Sequence, residues 1–412
     1  MLLPNGLLIY IFMKDSWVFT PLKCLGGFMK KHTLLAIFIF CAISSAYCIT
    51  AAANIPDNNS QPQATWVPKA TSQAWSDIAL SSDGKYQTAP VDSGYIWVST
   101  DFGKTWNPKG PLQYWYYIAM SSGGKFQTAT SAGDPAAPGK FGAIWVSKDF
   151  GNTWTQKSPS QNWTDIAMSG DGRFQTAATG GNFLWVSTDY GASWNQKSST
   201  AAWFSVAMSS EGMRQTATAF NGNIFVSADY GNSWVQKASV RDWVYVAISS
   251  DGIIQTAAED AGFLWISEDG GNTWAQKATP QSWAYGSMSS DGKFQVATAF
   301  DTNSIWVSND YGNSWIQKPT AQNWFAVKMS GDGSIQTALA EDGSIFVSSD
   351  FGNTWTSQAT SENWSWVALS QNGKVQTAVA YDGYIWDYSL QIKCSNGTSK
   401  FNHGCKKKLH RK

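Results

Sequence analysis

The sequence predicts an all-β chain, a single eight-bladed β-propeller of four-stranded antiparallel blades. Three observations predict it. A Trp-led unit recurs eight times at a spacing of about 40 residues, and each copy reads as four short strands separated by turn residues. The last copy lacks a fourth strand, and the N-terminal segment carries one to spare. A ring of seven blades with one stray unit is the alternative.

Taken in chain order, residues 1–52 read as a targeting region. Met29-Lys30-Lys31 gives a basic start, so translation can begin at Met29; Leu34 to Ile43 is an apolar run and Ser44 to Cys48 a small-residue exit. The apolar run is short for a bilayer span, so export is the expectation: secreted, periplasmic or cell-surface. Residues 53–63 form a linker and 64–390 the propeller.

Within the propeller the units open at Trp75, Trp115, Trp163, Trp203, Trp243, Trp283, Trp324 and Trp364. Each runs through a strand, an Asp-Gly type turn such as Asp83-Gly84 or Asp251-Gly252, a Gln-Thr-Ala strand, a variable loop, a strand such as Ile-Trp-Val-Ser, and a closing strand. Glycine in these turns supplies the positive φ that a hairpin needs. The eighth unit continues past Trp386 as Asp387-Tyr388-Ser389-Leu390 and makes no further turn. Thr65-Trp66-Val67-Pro68-Lys69 matches the missing strand, so it is expected to pair with residues 383–388 and remove both exposed sheet edges. The opening tryptophans and the eight glutamines at 87, 127, 175, 215, 255, 295, 336 and 376 read as packing and inter-blade bonding groups.

Seven units carry Ser-x-Asp-x-Gly-x-Thr/Ser-Trp between their third and fourth strands, from Ser99–Trp106 to Ser348–Trp355. This pattern resembles the Asp-box, or BNR, repeat propellers, a superfamily that includes sialidases, xyloglucan hydrolases, sortilin-type receptors and a photosystem II assembly factor. The resemblance covers about residues 64–390. It implies that Asp101, Asp149, Asp189, Asp229, Asp269, Asp310 and Asp350 are structural, each carboxylate collecting hydrogen bonds inside its own hairpin.

The box face is nearly constant from copy to copy, whereas the opposite face varies, so a ligand is expected on the latter. The residues that follow the opening tryptophans place Tyr116, Tyr117, Phe204, Tyr245, Tyr285, Phe325 and Trp366 around the channel mouth, with the carboxylates Asp77 and Asp165 among them. The loops after the second strands add Asp92, Asp260, Asp301, Asp342, Asp382 and an insertion from Ala132 to Lys140. Aromatic faces and carboxylates suit a sugar, and a protein ligand can use the same groups.

The expected function is therefore a secreted or surface binding propeller, non-catalytic and monomeric, for a glycan or a surface protein. One alternative is a glycoside hydrolase with Asp77 and Asp165 as paired carboxylates. The other is an assembly factor for a membrane complex. Sialidase chemistry is not expected, because the repeats hold only Arg173, Arg214 and Arg241, at positions that do not converge. His32, His403 and His410 all lie outside the repeats, so no metal site, cofactor or nucleophilic triad is expected there. A formal net charge of zero gives no reason to expect nucleic acid. The tail 391–412 is basic and carries Cys394 and Cys405, an expected disulfide in an exported chain, and its lysines suit peripheral contact with anionic surfaces.

Overall fold

The computed structural model describes residues 64–133, 142–300, 302–319, 322–358 and 362–390, all within one compact unit of the chain. The targeting region, the linker, the tail with Cys394 and Cys405, Asp301 and most of the 132–140 insertion lie outside the described residues. What is described is all strand and turn, with no helix.

The second strand of each unit explains why the units must stack. Gln175–Thr179, Gln215–Ala219, Gln295–Ala299, Gln336–Ala340 and Gln376–Ala380 are buried at every position. A strand covered on both faces reads as a continuous run of small and apolar residues. Only neighbours on both sides can provide that cover. Several fourth strands are short and exposed, as at Thr155–Gln156 and Val235–Gln236.

Hydrogen bonding groups the strands into six four-stranded sheets and one of seven. The seven-stranded sheet is two units joined by a continuous strand, Asn107–Met120. Its first half pairs with Gly94–Ser99 as the fourth strand of unit 1, and its second half pairs with Gln127–Gly133 as the first strand of unit 2. Eight sequence repeats therefore give eight four-stranded blades. The last is closed as expected: Ala64–Gln73 lies antiparallel to Gly383–Leu390, with Trp66 opposite Tyr388 and Gln73 opposite Gly383.

Two hydrogen-bonded circles lock the ring. In the turns between first and second strands, backbone N–H groups donate to the next unit in the sequence 82, 122, 170, 210, 250, 290, 331, 371 and back to 82, at 2.7–2.9 Å. Further out, each buried Gln donates Nε2 to the glycine carbonyl of its own turn and accepts at Oε1 from a Thr of the preceding unit. Six of these Thr–Gln links measure 2.5–2.7 Å, from Thr88–Gln127 to Thr337–Gln376. The belt has one gap. Val296 stands where the other units have Thr, and Gln336 Oε1 is left buried without a partner.

The seventh link crosses the closure seam and differs in kind. Thr377 Oγ1 lies 3.0 Å from Gln87 Oε1 and 2.9 Å from Asp387 Oδ1. One hydroxyl hydrogen cannot serve both acceptors. A protonated Asp387 resolves this by donating to Thr377, which then donates to Gln87. Asp387 is buried and replaces the Val or Ile found at this position in every other unit. Burial pushes its carboxyl up to about 7, against smaller lowering effects from Thr377 and Lys69.

Two predictions follow from the belt. Val296→Thr gives Gln336 its missing donor and should raise unfolding free energy by about 0.5–1.5 kcal/mol, read by urea denaturation. At the seam, the folded carboxyl value lies above the unfolded one of about 4. Its contribution is thus complete below pH 4 and is lost as pH rises through 7. Thermal unfolding should occur at lower temperature at pH 8 than at pH 5, by about 2–4 °C for each kcal/mol lost. Asp387→Asn, which keeps a donor and removes the charge, should make that profile shallower, leaving the part that Asp77 and Asp165 contribute with the same sign.

Candidate functional site

Each Asp-box is closed on itself. In the first, Asp101 Oδ1 accepts from Ser99 Oγ (2.9 Å) and Thr105 N (2.9 Å), while Oδ2 accepts from Thr105 Oγ1 (2.8 Å). The same three bonds recur at Asp149, Asp189, Asp229, Asp269, Asp310 and Asp350. These bonds outweigh partial desolvation and hold the carboxyls below their ordinary range. The aromatic residue after the Asp sits at φ of 61–64° in six boxes. Four of these rings stack on the preceding unit, as Tyr86 with Phe150 (4.5 Å) and Phe174 with Tyr230 (4.3 Å). Where the ring is replaced by Gly270, Arg214 of the preceding unit fills the space.

The box and the first turn share one face, joined by bonds such as Phe102 N to Lys85 O. The opening loops and the loops after the second strands meet on the other, as in Asp92 N to Ala74 O and Phe220 N to Ala202 O. At this second face, the first strands of all eight units surround the axis.

Four of the expected mouth aromatics are exposed there: Tyr116 (42%), Tyr117 (38%), Phe204 (44%) and Tyr285 (40%). Tyr116 and Tyr117 meet edge to face at 6.2 Å, and Tyr285 meets Trp366 in the same way at 4.9 Å. Phe325 and Trp366 are half-buried against the blade cores. Tyr245 is a correction. It is only 5% exposed and packs against the next blade, where its Oη would lie 2.3 Å from a Cβ added at Gly286. The absent side chain at 286 opens the space that takes the ring, and burial pushes its phenol up.

The carboxylates are placed differently from the expected lining. Asp77 Oδ1 accepts from Ile78 N (2.7 Å) and Oδ2 from Ile118 N of the next unit (3.0 Å). Asp165 Oδ1 accepts from Ile166 N (2.8 Å), and Oδ2 from Ser205 Oγ (3.0 Å) and Val206 N (2.9 Å) of the next unit. Both carboxylates therefore tie adjacent inner strands together. Burial pushes Asp77 up to about 7 and Asp165 up to about 6, opposed by these same hydrogen bonds.

One residue that the repeats mark out was not among the expected site residues. Four positions after the opening Trp, six units have Ala and one has Ser287, but unit 7 has Lys328. Its ammonium lies 5.1 Å from the Trp366 ring centre. Burial lowers its pKa, while Asp77 and Asp165 act on it through space in the opposite sense. These three groups come from units 7, 1 and 3, and units 3 and 7 stand opposite one another, so the charges share the lumen.

At the box end the axis is narrowed by the backbone circle. Beside it a depression of about 650 Å³ is lined by Ser82, Asp83, Ser290, Gly331, Asp332, Gln371 and Asn372. Gln371 Nε2 reaches over Gly331 to Ser290 Oγ (2.6 Å), and a Cβ at 331 would lie 1.8 Å from that nitrogen.

Comparison with known proteins agrees with this architecture. The BNR-Asp box repeat description matches residues 96–108, 144–157 and 345–358. The chain carries BNR-Asp box repeats on a β-propeller fold. No curated protein matches this propeller in sequence. Among solved structures, the C-terminal WD40 domain of Sif2 is similar at TM-score 0.64 and 11% identity, covering 79% of this chain and 98% of that one. YCF48 from Cyanidioschyzon merolae gives 0.51 and 14%, covering 79% and 98%. The GH74 xyloglucanase from Xanthomonas campestris gives 0.53 and 14%, covering 79% of this chain and 53% of that one. At these identities the likeness is one of fold.

Asp77→Ala leaves two buried N–H groups without an acceptor and should cost about 1–3 kcal/mol in urea unfolding. A catalytic carboxylate would instead lose activity at unchanged stability.

Proposed function

We propose that this chain is an exported, non-catalytic propeller that binds a glycan at the channel mouth opposite the Asp-boxes. The observation that carries this reading is the pairing of exposed aromatics with closed carboxylates. Tyr116, Tyr117, Phe204 and Tyr285 present ring surface to solvent, and the C–H faces of sugars stack on such surface. Asp77 and Asp165 spend both oxygens on backbone or hydroxyl donors. A hydrolase needs one carboxyl to protonate the leaving group and another to attack or activate water. In both Asp residues each oxygen already accepts a hydrogen bond, Oδ2 from the inner strand of the next unit, which favours a structural role.

The lumen also offers little to an extended peptide, which relies on main-chain partners. The N–H groups of Ile78, Ile118, Ile166 and Val206 go to the two carboxylates. Those of Tyr117 and Tyr285 go to Thr130 and Thr298.

A glycan array probed with the purified protein should give a positive class of ligand. Tyr117→Ala and Phe204→Ala should each weaken binding by about tenfold with unchanged thermal stability, since both side chains are exposed. An array without a hit, or binding indifferent to both changes, would remove this reading.

A further inference from the structure

The lumen holds one charged group whose hydrogen-bonding capacity the protein does not use. Asp77 meets two donors and Asp165 three. Lys328 has three N–H donors, and among the described residues none of them meets an acceptor within hydrogen-bond distance. Its ammonium faces the ring of Trp366, itself in edge-to-face contact with the exposed Tyr285. An ammonium in a protein-walled space is costly unless something accepts its hydrogens. The other seven units show that the blade needs no side chain beyond Ala or Ser at this position, so packing does not call for a lysine.

Depth matters as well. Lys328 stands three residues further along its strand than the rim position occupied by Tyr116 and Phe204, or about 10 Å at the usual strand rise. Its head lies beside Trp366, two residues after that unit's opening Trp. The charge therefore waits just inside the aromatic rim, where the end group of a bound chain would arrive.

We propose that Lys328 anchors a carboxylate-binding subsite in the lumen, so that the glycan taken at the mouth is one bearing uronic acid. Its sugar carboxylate pairs with the Lys328 ammonium and its ring lies against Trp366 and Tyr285. Charge-assisted pairing of this kind is stronger than a neutral hydrogen bond. A neutral sugar could accept from the same ammonium but would bring no charge to it, and the carboxylates of Asp77 and Asp165, which act on Lys328 through space, already spend their oxygens on other donors. The inference rests on the glycan-binding reading above and adds the class of sugar.

The test uses titration calorimetry on the whole exported chain, with trisaccharides of galacturonate, glucuronate and mannuronate and their methyl esters. At least one acid trisaccharide should bind wild type, and its ester should bind about ten- to a hundredfold more weakly. Lys328→Met should bring the acid down to the level of the ester, and Lys328→Arg should keep most of the preference. The ester comparison is made on wild type and needs no variant to fold. Acid and ester binding equally, or Lys328→Met changing nothing, would overturn the subsite and leave glycan binding at the mouth intact. Failure of all three acids to bind while neutral glycans do has the same meaning. If instead a tripeptide with a free C-terminus binds through Lys328 and its amide does not, the carboxylate belongs to a protein ligand and the uronate assignment falls.

Discussion

A sheet whose second strand must be buried on both faces cannot stand alone in water, and that constraint organises this molecule. Each blade supplies the cover its neighbour lacks, so every blade is stable only as a member of a series. A series with ends would leave two faces uncovered. Eight copies and a borrowed strand leave none. The backbone circle through residues 82 to 371 and the Thr–Gln belt outside it are the polar counterpart of that packing. They satisfy groups that closure would otherwise bury unpaired.

The same constraint separates the two faces in function. On the box side the Asp-box carboxylates, their Ser and Thr partners and the turn glycines serve the hairpin they belong to or the blade beside it, which leaves little room for variation. On the opposite side the loops only have to connect strands. There the side chains after the opening tryptophans differ from unit to unit, and the exposed rings gather. Even so, the demands of the ring reach into the lumen. Asp77 and Asp165 sit among the variable positions, yet they bond across to neighbouring strands as the belt does.

The ring was legible because repetition reports it directly. Trp66 and the truncated eighth unit gave the seam, and the seven boxes gave the turns. The site was less legible, for two physical reasons. A residue's place in a repeat fixes its height along the axis but not which way it points when a bulge follows the opening Trp, as it does at Trp243 and Tyr245. Tyr245 therefore turned inward against Gly286 while Tyr285, at the same register, stayed exposed. Lys328 was overlooked because a single lysine in a strand normally reads as a solvent-facing charge. Comparison with the Ala at 79, 119, 167, 207, 247 and 368 carries the signal that this position faces inward.

The missing Thr at position 296 has a consequence for how the ring comes apart. Next to that gap, between units 6 and 7, a cavity of about 210 Å³ is lined by Phe294, Val307, Ile316 and Phe351 together with the polar Ser308, Asn309 and Asn353. A closed hoop has no terminus from which to fray, so it opens at whichever joint resists least. Here one joint lacks its side-chain link because a methyl group stands in place of a hydroxyl, far along the chain from the seam where the two ends meet. The molecule thus separates the place where its circle is completed from the joint at which its side-chain belt is broken.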